Sequence, residues 1–263
     1  MKTSKTEPRL LCYDLGEGVT AFSTTRHGGV SEANYASFNI NPYCGDCADH
    51  VARNRQLLAD RLGLPTSHIV LPHQVHGIEH RAVAPELLDM SDAVRDKILD
   101  GVDMVTTSMT GVCIGVSTAD CIPVLLYDPV ARATAAIHAG WRGTLQRICQ
   151  RAVMAMQLHY GTTPDRLRAV VGPGISLANF EVGQEVYDQF VQAGFDLTET
   201  AEWHTKWHLD LPGINIRELI GCGVAPEHIH HAGICTFDHA DDYFSARRLG
   251  IDSGRIYTGI LMR

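Results

Sequence analysis

Long apolar runs are absent from this sequence of 263 residues. No stretch approaches the ~18 consecutive apolar residues of a membrane-spanning helix. The N-terminal segment, MKTSKTEPRLLCYDLGEG, also lacks an apolar core of signal-peptide length. These absences predict a cytoplasmic protein that does not enter a membrane.

Basic residues are also in short supply. The 22 lysines and arginines stand against 30 aspartates and glutamates, which gives a formal net charge of −8. A negative surface repels phosphate backbones and anionic lipids, so we expect binding neither to nucleic acid nor to a membrane surface. Any anionic ligand must therefore be held by local arginines.

No internal repeat, low-complexity tract or linker divides the chain, which predicts one domain over residues 1–263. The hydrophobic fraction of 45% is sufficient for a packed core. Eight cysteines show no paired spacing, so in the cytoplasm they indicate thiols, ligands or nucleophiles rather than disulfides. Cys44 and Cys47 have the CxxC spacing, but no second pair completes a zinc site and we assign them no role. A monomer is the favoured state.

The stretch Ser117 to Gly143 holds the chemistry that the rest of the chain surrounds. Its apolar runs Ile122 to Tyr127 and Ala133 to Ile137 are joined by a turn, and they predict two buried neighbouring strands. Cys121 precedes the first strand and His138 follows the second. If the strands pair antiparallel, the entry of one lies beside the exit of the other, and the two side chains meet.

Around this hairpin the apolar periodicity and the Gly and Pro positions predict further elements. The predicted helices are Asp49 to Leu62, Glu86 to Leu99, Trp141 to Tyr160, Gly183 to Ala193 and Asp210 to Gly221. Phe195 to Trp207 is expected to be irregular. Strands are predicted at Val19 to Thr25, His68 to Leu71, Ile78 to Ala84, Asp103 to Thr107, Val112 to Ser117, Arg168 to Gly172, Ile234 to Phe237, Tyr243 to Arg247 and Arg255 to Met262.

Cys121 and His138 suit two different chemistries. With a third histidine they would form a Cys/His₂ zinc site whose open fourth position binds water, and zinc lowers the pKa of such a water from 15.7 to about 7. Alternatively, His138 would deprotonate Cys121 as a nucleophile for acyl transfer. Spacing alone does not separate these readings.

Two further readings stay open. A zinc-stabilised binding protein is a non-enzymatic alternative, in which a side chain such as His73 closes the fourth position. Fourteen histidines also suggest copper. Only His228 and His230 show alternate-residue spacing and no cysteine adjoins them, so copper-dependent oxidation is the weaker reading.

Several segments occur in a fixed order between Phe22 and Arg255: FSTTRHGGVS, QVHG, TADCIPVLLYD, HAGWRGT, VVGPGIS followed by NFEVG, and YFSARR. Together they resemble the YfiH-like family, also called the laccase-domain or polyphenol oxidase family and described as purine nucleoside phosphorylases. The pair TADC and HAGWRG at this separation is the most specific part of the resemblance.

The resemblance implies an α+β fold in which mixed β-sheets pack together between flanking helices, in α/β/β/α layers. It implies that His76 of QVHG joins Cys121 and His138 on Zn²⁺. The implied reactions are phosphorolysis of adenosine, inosine, guanosine and methylthioadenosine, together with adenosine deamination. The fold is related to the catalytic domain of cytotoxic necrotizing toxins, where a Cys/His pair works as a hydrolase, so a thiol hydrolase or deamidase using Cys121 and His138 remains an alternative.

The implied reactions need two further kinds of residue. Deamination needs a proton shuttle, and the H-x-E motif of zinc deaminases is absent, which leaves Asp120 as the nearest acidic candidate. Phosphorolysis needs cations that hold phosphate against the anomeric carbon. The candidates for this role are Arg26, Arg142, Arg247 and Arg248.

Overall fold

A computed structural model describes residues 6–263 of the chain. Its helices are α1 (Ala48–Leu62), α2 (Pro85–Asp89), α3 (Asp92–Ile98), α4 (Trp141–Leu145), α5 (Ile148–Tyr160), α6 (Gln184–Gln192), α7 (Leu211–Gly221) and α8 (Ala246–Leu249). Its strands are β1 (Leu10–Tyr13), β2 (Val19–Thr24), β3 (Ile69–Val70), β4 (Glu79–Ala82), β5 (Val102–Thr107), β6 (Cys113–Thr118), β7 (Ile122–Asp128), β8 (Ala133–Ala139), β9 (Arg168–Val171), β10 (Glu181–Val182), β11 (Ala201–Trp203), β12 (Trp207–Leu209), β13 (Ile229–His231) and β14 (Ile256–Met262). No helix in this part of the chain is long and apolar enough to cross a membrane.

The strands form two large sheets and one small sheet. The first has the order β1-β2-β14-β6-β3, the second β13-β9-β7-β8-β5-β4, and the small one β10-β12-β11. Both large sheets are mixed, since β3 runs parallel to β6, and β4 runs parallel to β5. The predicted hairpin is confirmed, because β7 and β8 pair antiparallel with Pro123 opposite His138.

The core lies in three apolar layers that follow from the burial of both faces of each large sheet. Between the sheets, Ile114 and Ile260 of the first pack with Leu125 of the second. The outer face of the first sheet packs on Leu58 of α1. The outer face of the second sheet packs on α5 and α7, with Val153 fully inside the cluster. Burial of each such side chain stabilises the fold by about 1.5–3 kcal/mol. The predicted α+β fold with α/β/β/α layers is confirmed.

Most predicted elements are confirmed within one to three residues, but the helix predicted over Trp141 to Tyr160 is wrong as a single helix. It breaks between α4 and α5 at Arg147, whose φ of 60° is left-handed. The Arg147 guanidinium pairs with Glu218 of α7 and lies 4.2 Å from the ring centroid of Phe195. These tertiary contacts hold the break against the helical preference of the segment. The predicted helix from Glu86 to Leu99 is likewise two helices, α2 and α3.

Three predictions in the last third of the chain are wrong. Tyr243 to Arg247 is not a strand but leads into α8, whose start is capped by the Ser245 hydroxyl, which accepts from the Arg248 N–H. Ile234 to Phe237 makes only an isolated bridge, between Cys235 and Gly174. The segment expected to be irregular contains β11 and ends on the first residue of β12, Trp207. The ring of Trp207 stacks on that of Tyr187, with 3.7 Å between the centroids.

Candidate metal centre

One end of the central hairpin gathers three potential ligands. Cys121 lies directly before β7, His138 lies near the end of β8, and His76 enters from the loop between β3 and β4. One ligand atom from each of the three lies within 4.8 Å of the other two. The antiparallel register explains the meeting of Cys121 and His138, whereas His76 arrives through the packing of a separate segment.

The loop that carries His76 is shaped by the carboxylate of Asp103. This carboxylate, at the start of β5, accepts hydrogen bonds from the backbone N–H groups of Val75 (3.2 Å), His76 (3.0 Å) and Gly77 (2.7 Å). His76 itself has a φ of 63°, a left-handed conformation that needs support from its surroundings. Gln74 connects the same loop to β6, since its side-chain oxygen accepts a hydrogen bond from the Ser117 N–H at 2.8 Å.

Asp103 also fixes the orientation of His138. Its Oδ1 lies 2.6 Å from His138 Nδ1, and the carboxylate is fully buried. With Nδ1 so engaged, Nε2 is the nitrogen left for the cluster, which is how ligating histidines are commonly held. Burial alone would raise the pKa of Asp103, but the hydrogen bonds from His138 and from Gly77 and Val75 hold it below its usual value.

Sequence reasoning missed Asp103, although a signal was present. It is the one charged residue in the strand VDMVTT, all of whose residues are buried. A carboxylate in such a position is costly unless it is hydrogen-bonded, so it indicates a site.

Cys121 and His138 form a charge-coupled pair in the metal-free protein. Burial would raise the pKa of the Cys121 thiol, but His138 and His76 outweigh it and lower the pKa to about 6. Burial would lower the pKa of His138, but the Cys121 thiolate and Asp103 raise it to about 9. The cluster therefore favours a thiolate, which is the form that binds metal or attacks a substrate.

The donor set fits a zinc ion. One thiolate and two imidazoles are ligands that zinc prefers, and catalytic zinc keeps three protein ligands and an open position. Across residues 6–263 no further His, Cys, Asp or Glu joins the group. His73 does not close it: its Nδ1 is bonded to Asp100 Oδ1 at 2.6 Å, and its ring lies 4.3 Å from that of Tyr43. The same three donors are also compatible with copper.

Gly140 leaves the space that these side chains need. A Cβ at this position would lie 3.0 Å from His76 Cδ2 and 3.1 Å from Cys121 Sγ. The φ of Gly140 is −70°, so an alanine here meets no backbone strain. A methyl group here would therefore press on the cluster and would not strain the turn.

Gly140→Ala should weaken metal binding on the order of 10-fold, because the added methyl displaces two ligands, while the fold is retained. Competition with a chelator measures the affinity, and thermal unfolding of the metal-free protein measures stability. Gly221→Ala is the matched control, since its Cβ would meet nothing within 4 Å. Equal metal affinity in Gly140→Ala and wild type would contradict the crowding argument.

The cluster lies in the wall of a cavity of about 210 Å³. Polar side chains of Asn41, Gln74, Ser117 and Thr118 line it, together with Tyr43, Cys44, His73, Ala119, Ala246, Ile251 and Arg255. A larger cavity of about 480 Å³ is also lined by Tyr43. The larger cavity contains none of the three potential ligands, so size alone does not identify the reactive site here.

Asp120 lies next to Cys121 in the chain, but its carboxylate is engaged with the C-terminal region. One oxygen accepts from Thr236 Oγ1 at 2.7 Å and the other from the Arg247 N–H at 2.6 Å. These bonds tie the start of β7 to α8.

The four arginines predicted to hold phosphate do not line the 210 Å³ cavity. Arg26 donates to the carbonyl oxygens of Ala36 and Ala240, Arg247 donates to that of Glu181, and Arg248 donates to that of Phe237. The Arg142 guanidinium is exposed and lies 4.2 Å from the ring centroid of Trp141. Arg255, which the sequence reasoning did not select, does line the cavity.

Comparison with known proteins places these features in a family. A sequence profile described as "Multi-copper polyphenol oxidoreductase laccase" matches residues 20–263. A purine nucleoside phosphorylase from Bacteroides thetaiotaomicron is 44% identical over 262 residues, which cover 97% of this chain and 97% of that protein. Adenosine deaminase RL5, from an unknown prokaryotic organism, is 40% identical over 248 residues, which cover 93% of this chain and 94% of that protein.

The fold agrees with the sequence comparison. The crystal structure of YlmD from Geobacillus stearothermophilus matches with a TM-score of 0.87 and 30% identity, over 95% of this chain and 94% of that chain. The chain belongs to the YfiH-like laccase-domain family, as its motifs predicted.

Proposed function

We propose that this protein is a zinc-dependent purine nucleoside phosphorylase that also deaminates adenosine. The observation that carries the proposal is the cluster of His76, Cys121 and His138 in the wall of a cavity with polar lining. The names of two relatives, a purine nucleoside phosphorylase and an adenosine deaminase, support the substrate class. The proposed nucleosides are adenosine, inosine, guanosine and methylthioadenosine.

Each residue of the cluster has a defined task in this proposal. His76, Cys121 and His138 would hold the ion, and a bound zinc supplies a Lewis acid that activates water. Asp103 keeps the proton on Nδ1 of His138 and shapes the turn that presents His76. As a proton shuttle, Asp120 would first have to release Thr236 or the Arg247 N–H.

Product analysis tests the proposal. Zinc-loaded protein with adenosine and phosphate should yield adenine and ribose 1-phosphate by phosphorolysis, and inosine by deamination. Omission of phosphate should stop the first reaction and leave the second. If chromatography detects none of these products above a protein-free control, the proposal is wrong.

A thiol hydrolase or deamidase is the second candidate, and a specific geometry favours it. Asp103 orients His138, and His138 lies beside Cys121, which is the arrangement of a nucleophile, a base and a residue that positions the base. Turnover by metal-free protein that is lost in Cys121→Ser would support this candidate over the zinc enzyme.

The pH dependence of alkylation tests the thiolate directly in metal-free protein. Because the pKa of Cys121 is lowered to about 6, its reaction with iodoacetamide should be fast above this pH and fall as the pH drops through it. His138→Ala should raise the midpoint, since burial remains and the largest stabilising interaction is gone, while His76 still lowers the pKa of the thiol. Cys121→Ser gives the background from the other cysteines. An unshifted midpoint in His138→Ala would contradict the coupling.

A copper-dependent polyphenol oxidase remains the weaker alternative. Coupled copper clusters need several further histidines gathered together. The described residues form one group of three potential ligands and no second group, so they offer a place for a single copper ion but not the further histidines of a coupled cluster.

A further inference from the structure

The cavity of about 210 Å³ that contains His76, Cys121 and His138, here called the metal cavity, differs in charge from the chain as a whole. The chain carries a net charge of −8, yet no described residue that lines this cavity is an aspartate or a glutamate. Arg255 is the one lysine or arginine among these lining residues. The neighbouring 480 Å³ cavity, in contrast, is lined by three aspartates and two arginines. With the Cys121 thiolate offset by a bound zinc ion, Arg255 leaves this cavity with the positive charge that suits an anion.

Arg255 is held in a fixed position without a carboxylate partner. Its Nη1 donates to the carbonyl oxygens of Ser253 (2.6 Å) and Gly254 (2.9 Å), and its Nη2 donates to that of Ile251 (2.9 Å). Within residues 6–263 no acceptor is bonded to Nε–H or to the second Nη2–H. The half-buried guanidinium thus keeps two donors and its full charge for a ligand.

The cavity wall offers further free donors. Thr118 is 1% exposed, and its hydroxyl has no hydrogen-bond partner in the described part of the chain. A buried hydroxyl without a partner is costly, and Thr118 lines this cavity, so its hydroxyl is available to a ligand there. Asn41 uses one of its two amide N–H groups on Ser117 Oγ, at 2.6 Å, and its side chain lines the same cavity.

We propose that Arg255 and Thr118 form an oxyanion subsite of the metal cavity that binds inorganic phosphate. This inference rests on the proposed phosphorolysis and names the residues that hold its second substrate. In that reaction one phosphate oxygen forms a bond to C1′ of the ribose and the C1′–N9 bond breaks. The electron pair of that bond goes to the purine, and the proton carried by dihydrogen phosphate ends on the purine. Arg255 positions the anion by charge and by its two free N–H groups.

Binding of inorganic phosphate to the zinc-loaded protein, measured by calorimetry without nucleoside, tests the subsite. Arg255→Gln should raise the phosphate dissociation constant about 10- to 100-fold, and the KM for phosphate in phosphorolysis by the same factor. The phosphate dissociation constant of Arg255→Lys should lie between those of wild type and Arg255→Gln. Lysine keeps the positive charge but lacks the planar pair of N–H donors of a guanidinium. Arg81→Gln is the matched control, since this exposed guanidinium also donates to backbone carbonyls but lies outside the cavity.

Deamination consumes no phosphate, so it separates a binding role from a structural one. In Arg255→Gln, kcat/KM for phosphorolysis at low phosphate should therefore fall at least about 5-fold further than kcat/KM for deamination. Equal losses of deamination and phosphorolysis, or unchanged phosphate binding in Arg255→Gln, would overturn the subsite. If wild type binds phosphate but forms no product, loss of that binding in Arg255→Gln still supports the subsite while the proposed function fails. Absence of phosphate binding in wild type overturns the subsite.

Thr118→Val tests the second residue of the subsite while Arg255 itself is kept. Valine has the same shape and removes the unpartnered hydroxyl, so the metal-free protein should be at least as stable in urea as wild type. The phosphate dissociation constant should nevertheless rise about 5-fold. A variant with wild-type phosphate affinity would remove Thr118 from the subsite.

Discussion

Replacing His76 by alanine should abolish phosphorolysis and deamination together and reduce the bound zinc from stoichiometric to background. The reason is that two donors, Cys121 and His138, remain of the three that meet within 4.8 Å. Two protein ligands bind zinc far more weakly than three do. Loss of the zinc ion also removes the water molecule that it would activate. Elemental analysis after purification without chelator measures the metal, and product chromatography measures both activities.

Two further variants sharpen this test. His76→Asn should have the same effect on zinc content and on both activities. Asparagine tolerates the left-handed φ of 63° well, so this variant separates the loss of a ligand from an effect on the backbone. His73→Ala is the matched control for metal content, because His73 lies in the same cavity but is bonded to Asp100 and outside the cluster. Full zinc content in His76→Ala, or equal zinc loss in His73→Ala, would contradict the proposed ligand set.

Asp103→Asn should weaken zinc binding about 10- to 100-fold, the range found when residues that orient ligands are replaced. The carboxylate accepts from His138 Nδ1 and from three backbone N–H groups. An asparagine amide is a donor on one side, so it either leaves some of these N–H groups unpaired or forces His138 into the other tautomer. In that tautomer the proton lies on Nε2, the nitrogen needed as a ligand.

The same substitution should also destabilise the metal-free protein, because each buried donor left unpaired costs about 1–3 kcal/mol. Chelator competition gives the zinc affinity, and urea unfolding gives the free energy of unfolding. Asp100→Asn is the matched control: its carboxylate holds a histidine at the same 2.6 Å distance, but the pair is exposed and outside the cluster. Similar zinc affinities for Asp103→Asn and Asp100→Asn would refute the positioning role of Asp103.

Local patterns carried much of the fold prediction. The apolar runs Ile122 to Tyr127 and Ala133 to Ile137 are short, buried and joined by a turn, so their pairing follows from neighbours in the chain. The meeting of Cys121 and His138 then follows from strand register. The break at Arg147 did not follow, because it depends on Glu218 and Phe195, which lie far away in the sequence.

By itself, the sequence determined the family, the layered α+β fold and the identity of the three clustered side chains, since ordered motifs and local periodicity carry that information. The tertiary structure alone decided how the site is supported. Asp103 and Gly140 act at the cluster because separate strand ends converge there. It also distinguished Arg255 from the other arginines, because which guanidinium faces a cavity depends on long-range packing and not on its neighbours in the chain.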